Sequence, residues 1–183
     1  PELMKQIGSA VALEVLSTGV VWTFAPALSV PRNDRWGRTY EGFAEEPELV
    51  GQLGSAFVKG LQGEGDEFLD KNHILATSKH FAGDGGTFDG IDQGDVRLSK
   101  EEFYSLHVSP YTPAIDACTQ TIMSSFNSFQ GKKLHGDKSL LTDLLKDEMG
   151  FDGFIVGDWN GHGQVKGCSN ESCPEAFNAG VDI

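Results

Sequence analysis

Four short apolar runs constrain the fold of this chain more than any other feature: VVWTFAPALSV (20–30), ILATS (74–78), TIMSSF (121–126) and FIV (154–156). None alternates apolar and polar residues strictly, so none reads as a strand with one face in water. Each reads as a strand covered on both faces, which is the condition of a parallel sheet. Helical patterns separate them. Leu3, Met4, Ile7, Val11 and Val15 recur at near-helical spacing over residues 2–18, with Gly19 as the stop, and Leu49, Val50, Leu53, Phe57, Val58 and Leu61 do so over 46–61. Ser99-Lys-Glu-Glu102 is a capping box that opens a third pattern, interrupted near Pro110 and Pro113. Asp137 to Met149 forms an amphipathic helix through Leu140, Leu141, Leu144 and Leu145, ended by Gly150. Pro174 suits a further helix start, and Gly180 to Ile183 begins a fifth strand. Strand alternating with helix predicts an α/β fold, either a (β/α)8 barrel or a doubly wound sheet, and no G-x-G-x-x-G follows the first strand to favour the dinucleotide-binding version.

Charge narrows the partners. Lys plus Arg number 14 against 27 Asp plus Glu, a net charge of -13, which disfavours nucleic acid and anionic membranes because both are met by basic patches. No apolar run approaches the roughly 20 residues of a membrane-spanning helix. The spacing of Cys168 and Cys173 suits either a disulfide closing a small loop, which implies an oxidising compartment, or two free thiols; Cys118 at the end of a helical pattern reads as a small buried apolar residue.

In both architectures functional groups gather at the C-terminal ends of the strands. Reading each end in turn gives Arg32 to Arg38 with Glu41, then Lys79-His80 and Gly83-Asp-Gly-Gly86, then Asn127 and Phe129, then Asp158-Trp159. For Arg32 and Asn33 a structural ion pair is the preferred reading. A lone His80 would be a core histidine, but a Lys at the buried end of a strand is costly unless engaged, and Lys79 stands beside it. Neighbours on a regular strand face opposite ways, so the backbone must bend if both serve one site. The acids of residues 83–95, Asp84, Asp89, Asp92 and Asp95, miss the alternating positions of an EF-hand and lack its closing Glu, and the loop is no P-loop. Asp158 would ordinarily cap a helix, yet Asn160, Gly161 and Gly163 are poor helix openers. A carboxylate at a strand end with an indole beside it suits carbohydrate: the ring stacks on a sugar face and the carboxylate attacks or stabilises a cationic anomeric carbon.

Four blocks in order, FAPALSVPRNDRWGRTYEGF (24–43), SKHFAGDGGT (78–87), IMSSFNSFQGKKLH (122–135) and GFDGFIVGDW (150–159), resemble the N-terminal barrel domain of the family 3 glycoside hydrolases, exo-acting β-glucosidases and β-glucan glucohydrolases. The resemblance implies a partial TIM-type (β/α)8 barrel of about five parallel strands, the third to seventh of the family's eight. It implies Asp158 as catalytic nucleophile, and Trp159 as an aromatic residue flanking the glycone pocket. Arg38, Lys79 and His80 then match residues that bind sugar hydroxyls, with Glu41 supporting the Arg38 cation. Phe126 stands in the pocket where many members carry Tyr, and Gly157 replaces the Ser usual before the nucleophile. The reaction implied is hydrolysis of terminal non-reducing β-D-glucosyl residues from β-glucosides or β-glucan oligosaccharides, with retention and without cofactor or metal.

In glucosidase-type members the acid/base Glu comes from a second, α/β sandwich domain. Residues 1–183 are therefore expected to be a single incomplete domain, an internal fragment of the catalytic barrel that needs the rest of its own chain for activity. The N-acetylglucosaminidase branch carries a catalytic His in the loop after Lys-His; GDGGTFDGIDQGD contains none. Xylosidase specificity, a non-catalytic sugar-binding relative and a Schiff-base lyase using Lys79 are the alternatives.

Overall fold

A computed structural model of the protein describes residues 1–183. Helices α1 (Glu2–Ser17) and α2 (Pro47–Gln62) lie against each other. Their backbones approach closely where Gly8 meets Gly60: a Cβ on Gly8 would stand 2.6 Å from the Phe57 carbonyl oxygen, so larger residues would part the pair. The sheet is parallel, with strand order β1 (Thr77–Phe81), β3 (Thr121–Ser124), β6 (Phe154–Val156). Thr77 stands opposite Thr121, which stands opposite Phe154.

Two extended segments continue this arc on either side. Trp22 bridges Leu75 and Ala27 bridges Lys79, both in parallel sense. Beyond β6, Asp182 N–H donates to the Ile155 carbonyl at 2.8 Å and Gly157 N–H donates to that of Ile183 at 2.7 Å. Five segments thus run side by side in chain order, but only three are regular strands. The first apolar run is not a continuous strand because Pro26, without an N–H, sits between its two bridges. The second strand spans 77–81, so Lys79 and His80 lie within it and not after it.

Both faces of β3 are buried, which is why the runs do not alternate. One side packs into the main core, where Ile122 and Ile155 join Phe81, Tyr111, Leu141 and Leu145. The other side carries Met123 and a hydroxyl pair: the Thr77 and Thr121 hydroxyls lie 2.6 Å apart, and Trp22 Nε1 donates to Thr77 Oγ1 at 2.8 Å.

The Ser99–Glu102 capping box forms and opens α3 (Lys100–Phe103), which runs into a π-helical turn over Tyr104–Val108. The break falls at Pro110. Pro113 does not interrupt, since it lies in the first turn of α4 (Tyr111–Asp116), where its missing N–H would have no partner anyway. The amphipathic helix is π-helical over Ser139–Glu148 and buries Leu140, Leu141, Leu144 and Leu145. α5 (Pro174–Ala179) begins at the expected proline. The loops after β1 and β3 carry a small second sheet of β2 (Asp95–Val96), β4 (Ser128–Phe129) and β5 (Lys132–Lys133). Gln130 and Gly131, both at positive φ, make the tight turn between β4 and β5. Cys168 and Cys173 are joined by a disulfide. Cys118 is exposed, contrary to expectation, because the chain turns out of α4 there with a φ of 60°.

Candidate active site

The ends of β1, β3 and β6 open on one side of the sheet, and the candidate residues meet there. The register of β1 against β3 slips between Lys79 and Phe81, so the irregularity falls at the Lys79-His80 pair itself and not only at the neighbouring glycines. The Lys79–His80 and Phe81–Ala82 peptide bonds are cis.

His80 is the buried hub. Its Nε2 lies 3.1 Å from Arg38 Nη2 and its Nδ1 lies 2.8 Å from Asp84 Oδ2. A guanidinium only donates, so Nε2 accepts and Nδ1–H donates to Asp84. Arg38 also grips Glu41 in a fork, Nε to Oε1 at 2.6 Å and Nη2 to Oε2 at 3.0 Å. The Glu41 hydrogen bond holds Arg38 above its ordinary pKa against the opposing effect of burial, and the same bond holds Glu41 below its own. Asp84 additionally accepts from Ser29 Oγ at 2.7 Å and from the Gly85 N–H at 3.1 Å. Burial alone would raise the Asp84 pKa, but the hydrogen bond from His80, with the Ser29 hydrogen bond and the charge of Arg38, outweighs it and keeps the carboxyl below the usual range.

Lys79 is half-buried, and burial lowers its pKa, opposed by Glu41, Asp158 and Asp84. Asp158 follows β6 with its Oδ2 3.7 Å from His80 Nε2. Its Oδ1 takes the Trp159 N–H at 2.7 Å, and its own N–H donates to His135 Nε2 at 3.0 Å. It caps no helix, for the next helical turn, Gly161–Gln164, begins after Asn160. Trp159 is 85% exposed, an indole standing in solvent directly beside the carboxylate. Arg38, His80, Asp84, Phe126 and Asp158 line a small cleft together with Asp92, Gln93, Ser125 and Asn127. A larger cavity adjoins β6 near α5, but Gly157 and not Asp158 lines it, and it holds none of the cationic residues.

Arg32 bonds the Glu45 carbonyl oxygen and Asn33 the Arg35 N–H, local contacts outside the cleft. The four loop acids do not converge: Asp84 faces His80, Asp92 accepts from Trp36 Nε1 at 3.2 Å, Asp95 accepts from the Gly131 N–H at 2.7 Å, and Asp89 is exposed. Reading strand ends did not single out Asp84 as the partner of His80, although it lies four residues on. His135 and Ser125 were missed as well, since neither pattern nor spacing marks a polar residue that becomes buried across the sheet.

The family model described as the glycosyl hydrolase family 3 N terminal domain matches residues 1–183. The chain belongs to that family. It is 39% identical to a β-xylosidase of Formosa agariphila and 33% identical to a periplasmic β-glucosidase of Salmonella typhimurium, each over the whole of this chain. It spans about a quarter of the length of these relatives, 26% and 24%. Among solved structures, the exo-1,3/1,4-β-glucanase of a Pseudoalteromonas species superposes on the entire chain with a TM-score of 0.98 at 50% identity, over 23% of its own length. The five parallel segments are accordingly part of a TIM-barrel-like family domain.

Proposed function

We propose that residues 1–183 supply the nucleophile and part of the glucose-binding subsite of a retaining exo-β-glucosidase acting on β-glucosides or β-glucan oligosaccharides. The observation that carries this reading is the placement of Asp158 at the end of β6, facing His80, Lys79 and Arg38 and flanked by an exposed indole. Asp158 attacks the anomeric carbon as the glycosidic C–O bond breaks, and a glycosyl ester forms that water later hydrolyses. Lys79 Nζ makes no hydrogen bond or ion pair within the chain, so its donors are free for sugar hydroxyls. Arg38, locked by its fork on Glu41 and by His80, presents a fixed guanidinium, and His80, engaged by Arg38 and Asp84, holds it in place, so little ordering is needed when the sugar binds.

The proton for the leaving oxygen must come from elsewhere. Glu41 and Asp84 are both held below the ordinary carboxylate range by their partners, so neither suits a general acid. A retaining pair stands about 5 to 5.5 Å apart. We assign the acid/base to a carboxyl outside residues 1–183, in a second domain of the longer protein, and read this chain as an internal part of the first, catalytic barrel.

The test is to trap the full-length protein with 2-deoxy-2-fluoro-β-glucosyl fluoride and map the label. A glucosyl ester on Asp158 is expected, and labelling of another residue would refute the assignment. β-Xylosidase specificity is the second reading, favoured by the 39% identity to a β-xylosidase; comparing kcat/KM on aryl β-glucoside and β-xyloside separates the two. Trp159→Ala should raise KM for β-glucan oligosaccharides about tenfold while changing kcat on an activated aryl glucoside little, because the exposed indole offers stacking area outside the innermost sugar.

A further inference from the structure

We propose that His135 is a positioning residue for the nucleophile: its imidazole accepts the backbone N–H of Asp158 and clamps the turn that presents the carboxylate. The inference rests on the reading of Asp158 given above and adds a group to which neither the sequence patterns nor the sugar-binding cluster assigns a task.

His135 is fully buried on the short helical turn Leu134–Gly136, and its Nε2 lies 3.0 Å from the Asp158 amide nitrogen. A backbone amide only donates, so Nε2 carries the lone pair and the ring proton sits on Nδ1. The imidazole touches the turn on both sides of the nucleophile. A Cβ on Gly157 would lie 3.6 Å from His135 Cδ2, an ordinary contact. A Cβ on Gly161 would overlap the ring, with Cε1, Nε2 and Nδ1 all closer than van der Waals contact. Gly161 in turn donates its N–H to the Asp158 carbonyl at 2.8 Å, closing the turn against the imidazole. The missing side chain at 161 is what lets the turn close there.

The ring stays neutral at ordinary pH. Burial above all lowers its pKa to about 4, with neighbouring His162, Lys133 and His80 acting in the same direction and a hydrogen bond to the Ser125 backbone opposing. Asp158 is the acidic neighbour, through its amide. A histidine that merely filled space would be replaceable by any apolar residue of similar size. A positioning histidine needs an acceptor at Nε2, which the side-chain carbonyl of Gln can supply and Leu cannot.

The experiment uses the full-length protein as wild type, His135→Leu, His135→Gln and Gly161→Ala. It reads the rate of Asp158 labelling by 2-deoxy-2-fluoro-β-glucosyl fluoride, the inhibition constant of glucose and the thermal midpoint. His135→Leu should slow labelling about 100-fold, the scale of a misplaced reacting group, with glucose inhibition changed less than about threefold. His135→Gln should recover most of that loss. Gly161→Ala keeps the imidazole but pushes the turn away from it, and should slow labelling comparably if His135→Leu does not fold. Labelling within threefold of wild type in either His135→Leu or Gly161→Ala overturns the proposal, as does a loss of glucose affinity in proportion to the labelling rate. A wild-type label on a residue other than Asp158 is a different failure, which removes the nucleophile assignment itself.

Discussion

Asp158→Ala in the full-length protein should lower kcat by at least about 10³-fold, with KM for an aryl β-glucoside changed far less, because the lost group acts chiefly in the transition state. The carboxylate stands beside the cationic and polar cluster proposed to bind the sugar, so ground-state affinity should survive on that reading. The shortened side chain also leaves room for a small anion. Added azide should attack the anomeric carbon as the leaving group departs, restore part of the rate and yield α-glucosyl azide, the product of one inversion. Initial rates and the anomeric configuration of the product check this. A variant that keeps a tenth of the wild-type rate, or a β-configured azide, would sink the role of Asp158.

The second large effect is expected at Asp84. Its carboxylate accepts from His80 Nδ1, Ser29 Oγ and the Gly85 N–H in a nearly closed site. Asp84→Ala leaves those donors without their acceptor and should cost roughly 3–5 kcal/mol of stability, read as a fall in denaturant midpoint at unchanged slope. It should also lower kcat/KM by about 10- to 100-fold, since His80 loses the partner that fixes its tautomer and orientation. The pH dependence has a defined sign. The folded-state pKa of Asp84 is depressed, so its contribution is fully present above the unfolded value of about 3.9 and is lost as pH falls through the lower folded value. The stability gap between wild type and Asp84→Ala should therefore narrow only below about pH 4. An equal gap at pH 3 and pH 7 would show that the carboxylate charge is not what stabilises the site.

Much of this was legible in the residues themselves. Apolar runs without alternation marked strands buried on both faces, because the two-residue period of a strand reports what each face meets. The capping box and the leucines of the 139–148 helix read as surely, since both depend on neighbours within one or two turns. Lys79-His80 and Asp158-Trp159 stood out because charge at the end of a buried run is costly unless used.

What the residues alone did not decide were the boundaries of β1 and the partners of each polar group. Strand β1 extends through Lys79 and His80 because Arg38, Asp84 and the neighbouring segment satisfy them there, and a linear reading stops at the first charged residue. Arg38 reaches His80 across 42 residues and Asp158 reaches His135 across 23. Periodicity reports local burial; only the closing of the parallel arc determines which distant side chains share a cleft, and so which acid is the partner of His80 and which imidazole accepts the Asp158 amide.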